Sequence, residues 1–283
     1  MSDSCLIRVA ELAARAADAD LAVVDCRFDL GDPDWGRRGY ETGHIPGAVY
    51  APLDTALAGP VTPLTGRHPL PDPQAFARTL GAWGIGPGTP VVAYDQGHGA
   101  GAARLRWMLR AAGHAAPVRV LDGGLAAWSS AGHPLARSAA PRPPVTVPSR
   151  PFTRWLTAGE VRAALAEGTI DLVDARGADR FAGQNETIDP VAGHVPGALN
   201  RPFVQNLGPD GCFKPAAELR REWSALLGGR DASRVVTMCG SGITACQNLL
   251  ALEIAGLGEG LLYAGSWSEW IRDPSRPVAT TPA

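Results

Sequence analysis

Two halves of the 283-residue chain carry the same four landmarks in the same order, and no other feature restricts its fold as tightly. The first half has VVDCR (23–27), GHIPGA (43–48), PVVAYD (90–95) and LDGGLAAW (121–128). The second has LVDAR (172–176), GHVPGA (193–198), RVVTMC (234–239) and YAGSWSEW (263–270). Each landmark follows its counterpart at nearly the same distance, which means a duplicated domain. Within each half, short apolar strands alternate with helical stretches, so the expected fold class is α/β, a parallel sheet with helices on both faces. The expected layout is a first domain over residues 1–136, a proline-rich linker over 137–150 and a second domain over 151–283. PLARSAAPRPPVTVPSRP (134–151) should be extended and fairly stiff, wrapping without a core of its own. Thr157 and Glu160 form a T-x-x-E capping box at the start of the second domain, and Gly168 ends that helix before a strand at 171–175.

The second half contains the stretch richest in chemistry, RVVTMCGSGITACQNLLAL (234–252). A β-branched strand runs into a glycine loop opened by Cys239, and apolar residues after Thr244 recur at helical spacing until Gly256. Gly240 and Gly242 permit backbone conformations closed to other residues, so the amides of residues 240–245 can turn toward the Cys239 sulfur as an anion cradle. The positive end of the following helix dipole adds to this, and both effects favour thiolate over thiol. Cys239 therefore reads as a nucleophile; the competing reading is a small core residue at a strand end.

The halves differ where the chemistry would be. Opposite Cys239 stands Asp95, which cannot act as a sulfur nucleophile, so the first half keeps the scaffold and one active site per chain is expected. His44 and His194 precede Pro-Gly turn signals in both halves and read as structural, as do Asp25 and Asp174 at the ends of apolar strands. Trp267 and Trp270 have a counterpart in Trp128 of the silent half, which favours core packing over a pocket mouth. The tail DPSRPVATTPA reads as an extended end.

Composition narrows the partners. Net charge is −2, charged residues make up 19% and no basic block occurs, which argues against nucleic acid and against an acidic membrane surface. The N-terminus lacks a basic start followed by an apolar core, and no apolar run approaches ~18 residues, so neither signal peptide nor membrane span is expected. The expected location is cytoplasmic. Cys5, Cys26, Cys212, Cys239 and Cys246 are an odd number without CxxC spacing, so neither a disulfide framework nor a zinc or other metal site is expected. Cys246 has two readings, a core position or a resolving thiol for Cys239.

The two GH-x-PGA segments, the Asp-for-Cys first half and the loop CGSGITA (239–245) together resemble the tandem-domain rhodaneses and 3-mercaptopyruvate sulfurtransferases over nearly the whole chain. The resemblance implies two rhodanese domains, each with a five-stranded parallel sheet, and a persulfide mechanism. Cys239 would take the outer sulfur of a small-molecule donor and pass it to a thiol, thioredoxin or cyanide, with no metal or organic cofactor. Thiosulfate-preferring members tend to carry Arg and Lys directly after the cysteine. Gly240 and Ser241 stand here, which matches the mercaptopyruvate type and leaves thiosulfate open as a second donor. Gly240, Gly242, Ile243 and Thr244 would bind substrate through the loop.

By the same resemblance Arg180 in ADRF (178–181) would hold the donor's carboxylate or carbonyl, a task suited to a planar guanidinium; a surface ion pair is the competing reading. Asp54 in APLDTA (51–56) and His68 in GRHPLP (66–71) match positions proposed to form a relay with the loop serine, here Ser241. A second donor-binding arginine usual in mercaptopyruvate enzymes is replaced by Thr187 in QNETIDPVAGHVPGA (184–198), and Arg201 is a substitute suggested by proximity alone. Asn185 and Glu186 read as pocket-shaping or simply solvated. Two other classes compete. A cysteine phosphatase needs an arginine six residues after the cysteine, where Ala245 stands. A rhodanese fold used only as a binding module is opposed by the intact loop, whereas a persulfide carrier in a sulfur relay is compatible with the same mechanism; turnover with a small donor would discriminate.

Overall fold

The computed structural model describes residues 4–15, 18–139 and 141–281. The chain divides into two compact units. The first comprises Met1–Gly59, Leu70–Thr153 and Pro209–Cys212; the second comprises Pro60–Pro69, Arg154–Gly208 and Phe213–Ala283.

The first unit is built on strands β1 Leu6–Ile7, β2 Ala22–Asp25, β3 Ala48–Tyr50, β4 Val91–Tyr94 and β5 Val118–Leu121. They form one parallel sheet in the order β1-β5-β4-β2-β3. Every residue of β2 and β4 is buried, the signature of a parallel sheet covered on both faces, and it explains why these strands read as unbroken apolar runs. The described residues of the 137–150 segment form no helix or strand and pack on this unit. Arg142 donates to the Leu21 carbonyl at 3.0 Å, and the Val145 amide to the Gly81 carbonyl at 3.0 Å.

The second unit repeats the plan with β6 Asp171–Asp174, β7 Leu199–Asn200, β8 Val235–Met238 and β9 Leu261–Leu262 in the parallel order β7-β6-β8-β9. This corrects the expectation of five strands in each sheet. At the β9 edge only an isolated bridge, Trp155 to Leu262, stands where the first unit has β1. Arg154, immediately before the bridge, has a positive φ of 66°, outside the extended region. The capping box forms as read, with both reciprocal bonds between Thr157 and Glu160 at the start of helix Ala158–Ala166.

The repeated landmarks are structural devices. Asp25 ends β2 and binds Arg27, whose guanidinium also donates to the Gly43 carbonyl at 2.9 Å. Asp174 ends β6 and does the same with Arg176 and the Gly193 carbonyl at 2.8 Å. His44 stacks on Tyr40 and His194 on Phe181, in both cases with ring centroids 3.8 Å apart. Each turn histidine also bridges to its unit's closing segment, at Ala136 and at Ala279. Trp128, Trp267 and Trp270 are buried in the cores. Met1–Asp3 and the last two residues of the 273–283 tail lie outside the described residues, as does Ala140 of the linker segment.

Candidate active site

Strand β8 stops at Met238 and the helix Thr244–Ile254 begins six residues later, so the five-residue loop between them projects from the carboxyl end of a central strand, where open α/β sheets place their ligands. Cys239 opens this loop and is buried, 2% exposed. Its Sγ accepts the amide of Gly242 at 3.0 Å and, more weakly, that of Ser241 at 3.5 Å. The cradle read from the glycine spacing therefore forms, with these two amides on the sulfur. Gly242 is required twice over. Its φ is +80°, and a Cβ there would stand 2.4 Å from the Ala264 carbonyl oxygen. Ile243 precedes the helix as its cap residue and is buried, Thr244 is the first helical residue, and the Cys246 thiol is turned to the Gly242 carbonyl at 3.3 Å.

The loop is clamped from the side by the segment 263–270. The Cys239 amide donates to Ser266 Oγ at 3.1 Å, and that hydroxyl donates to the Tyr263 carbonyl at 2.9 Å. The amides of Trp267 and Ser268 donate to the carbonyls of Cys239 at 3.0 Å and Gly240 at 2.9 Å. Ser266 is fully buried at φ +55°, an uncommon conformation for a residue with a side chain; these bonds hold it there.

The segment Pro60–Pro69 belongs to the same unit and brings two side chains to the loop. His68 is buried, and its Nδ1 lies 2.7 Å from Ser241 Oγ. Arg67 donates its amide to Ser268 Oγ at 3.0 Å. A Cβ placed on Gly240 would come within 2.7 Å of Arg67 Nη2 and 3.8 Å of Arg180 Nη2, so both guanidiniums face the residue beside the cysteine. Glycine at 240 leaves room for them.

These cations are held by carboxylates. Arg180 donates through Nε and Nη2 to Glu186, at 3.1 and 2.9 Å, and through Nη2 to Asp189 Oδ2 at 3.1 Å. Asp189 Oδ1 pairs with Arg67, and Glu186 also accepts from Arg176 at 3.5 Å. An alternating chain of charges thus runs Asp174, Arg176, Glu186, Arg180, Asp189, Arg67. Burial pushes the Asp189 carboxyl above the usual carboxylate range despite the arginines around it. Burial pushes Glu186 the same way, but hydrogen bonds from Arg180 and from the Asp189 and Ile188 amides outweigh it and leave it below that range.

Of the residues singled out in the sequence, Cys239, Gly240, Ser241, Gly242, Arg180 and His68 come together in the second unit. Asp54 lies in the first unit, in the opening turn of helix Leu53–Ala56. Arg201 is turned elsewhere, to Asn206 at 3.0 Å and Glu222 at 2.6 Å, over the Trp223 ring. Asn185 is exposed and bonds Asp179, whereas the Glu186 side chain is buried between arginines. Arg67, Asp189, Ser266 and Ser268 escaped the sequence reading. Arg67 had one signal, its place directly before His68.

Among the described residues no group of three or more acidic, histidine or cysteine side chains could hold a metal ion, and no helix is long and apolar enough to cross a membrane. Comparison with known proteins completes the picture. A family model described as a rhodanese-like domain matches twice, at residues 8–131 and 157–273. A Pseudomonas aeruginosa protein named "Probable 3-mercaptopyruvate sulfurtransferase" is 49% identical over 282 residues, covering 99% of each chain. A Mycobacterium tuberculosis protein provisionally named thiosulfate sulfurtransferase SseB is 41% identical over 279 residues, covering 96% of each. Among solved structures, 3-mercaptopyruvate sulfurtransferase from Leishmania major superposes with a TM-score of 0.85 at 34% identity, covering 95% of this chain and 75% of that one.

Proposed function

Because the chain belongs to the rhodanese-like domain family, with one such domain in each half, we propose that it is a sulfurtransferase taking the thiol sulfur of 3-mercaptopyruvate as the outer, sulfane sulfur of a persulfide on Cys239 and passing it to a thiophilic acceptor. The observation that carries the reading is the Cys239 sulfur held by the Gly242 amide at 3.0 Å, beside a glycine faced by two guanidiniums. The names borne by the 49% identical relative and by the Leishmania major structure support the donor.

In the first half-reaction the Cys239 thiolate attacks the sulfur of the donor. The carbon–sulfur bond breaks, its electron pair passes to the donor carbon as an enolate, and protonation gives pyruvate. Cys239 keeps the transferred sulfur as a persulfide, and the amides of Ser241 and Gly242 stabilise negative charge at the sulfur before and after transfer. Arg67 and Arg180 hold the donor's carboxylate and carbonyl, a match for planar guanidinium forks. The hydroxyl of Ser241, bonded to His68, manages the enolate's proton. In the second half-reaction an acceptor thiolate, from a small thiol or thioredoxin, or a cyanide ion attacks the outer sulfur and releases the Cys239 thiolate. Two half-reactions through a covalent intermediate give ping-pong kinetics.

Thiosulfate is a second donor on this reading, favoured by the 41% identical relative's name and by the paired guanidiniums. None of the five cysteines is paired in a disulfide, and we place the protein in the cytoplasm. The test is steady-state thiocyanate formation with cyanide and each donor in turn. Parallel lines in double-reciprocal plots with mercaptopyruvate are expected, and absence of turnover with both donors would refute the transferase reading.

A further inference from the structure

Two cations aimed at one glycine make a strong anion site, yet each is already engaged by a carboxylate. Asp189 stands between them, with Oδ1 on Arg67 and Oδ2 on Arg180. The exposures show what a ligand would meet. The Arg67 and Arg180 side chains are 26% and 18% exposed, whereas those of Asp189 and Glu186 are 2% exposed. A donor would therefore touch the guanidiniums and never the acids, but it would feel the summed field of all four. Behind them Arg176 is matched by Asp174, so that pair adds little. The loop adds no compensating charge, since Gly240 and Ser241 are neutral, as is Thr187 between the two acids in sequence.

We propose that Asp189 is the residue that sets donor choice: together with Glu186 its buried carboxylate offsets the two guanidiniums beside Cys239, so that the site favours a monoanionic donor over a dianionic one. The proposal rests on the sulfurtransferase reading of the same site. Coulomb energy is proportional to the ligand's charge, so a neighbouring negative charge penalises thiosulfate, a dianion, twice as strongly as 3-mercaptopyruvate, a monoanion. The effect operates through Arg67 and Arg180, which makes Asp189 a positioning and charge-setting residue that touches no reacting atom.

Asp189→Asn tests this with little change of shape. The kcat/KM ratio of thiosulfate to mercaptopyruvate, with cyanide as acceptor, should rise about 10-fold at low ionic strength, equivalent to about 1.4 kcal/mol. The rise should shrink as salt is added, and Asp189→Glu should restore the original ratio. Arg67→Gln, which removes a positive charge instead, should move the ratio the other way and gives a second reading if the Asn variant folds poorly. A parallel loss with both donors, leaving the ratio and its salt dependence unchanged, would overturn the proposal. A binding arm separates this failure from failure of the function. Calorimetry with pyruvate and with sulfate should show Asp189→Asn strengthening sulfate more than pyruvate whether or not the protein turns over either donor, and equal effects on the two anions would also overturn it.

Discussion

The loops after β4 and β8 begin at equivalent points of the two sheets and turn backbone amides onto one side-chain acceptor in the same way, but the acceptor differs. After β4, the Asp95 carboxylate accepts amides from Gly97 at 3.0 Å, Gly99 at 2.9 Å and Gly101 at 3.0 Å. After β8, the sulfur of Cys239 accepts the amides of Gly242 and Ser241. The first cradle is filled by its own side chain, buried and satisfied; the second holds an atom that can be alkylated, oxidised or sulfurated. A cradle is therefore part of the scaffold, and chemistry depends on what occupies it.

A second difference lies beside the loops. Arg27 and Arg176 perform the same locking task, but Arg176 also reaches Glu186 and so continues into Arg180, Asp189 and Arg67. The second unit adds a charged chain ending at Gly240 to a device both units share. The proposed transfer needs a nucleophile, a cradle and a place for the donor's charge, and the second unit brings a cysteine, two amides on its sulfur and two guanidiniums to one loop.

The comparison is most severely tested at the paired positions. Cys239→Ser should lower sulfur transfer at least about 10³-fold, as loss of a nucleophile does. Asp95→Asn should leave kcat/KM unchanged but lower stability by about 1–3 kcal/mol, because a buried set of amides loses a charged acceptor. Urea unfolding and thiocyanate assays on both variants check this, and equal activity losses would erase the distinction between the units.

Ser241→Ala and His68→Ala should each lower kcat with mercaptopyruvate by about 10²-fold, the lower end of what general acid–base groups contribute. The double variant should be little worse than the poorer single one, since the two act through one hydrogen bond. Additive losses would show that they work separately. Arg180→Ala should reduce kcat/KM about 10-fold or more, in keeping with loss of a charge-assisted bond of about 1.5–3 kcal/mol, chiefly through KM. The smallest effect sharpens the comparison furthest. Asp95→Cys should restore a thiol to the first cradle without sulfur uptake there, because the Arg67–Arg180 pair faces Gly240 of the other loop; a second sulfur detected by mass would show that the cradle alone suffices.

Much of this was legible in the sequence because it depends on local chain properties. A strand, two glycines and a helix start place Cys239, and repetition exposes which half carries Asp95 in its stead. Arg67 and Asp189 were hidden for a different reason. Residues 60–69 precede the second half by nearly ninety positions yet fold with it, so the meeting of His68 and Ser241 was accessible only through family resemblance, and that of Arg67 and Gly240 not at all. Asp189 and Glu186 sit in a polar loop whose composition reads as solvated; their burial follows from arginines that reach them from elsewhere. The fifth strand of the second sheet is reduced to an isolated bridge beside Arg154, whose residue type gives no warning of its positive φ.

The central claim is that sulfur resides on Cys239 during turnover. The direct measurement is to expose the reduced protein to 3-mercaptopyruvate, remove the donor, and map peptide masses before and after cyanide. One added sulfur atom on the Cys239 peptide, discharged as thiocyanate, is predicted; an unmodified Cys239 peptide, or added sulfur on a peptide of the first unit, would contradict it.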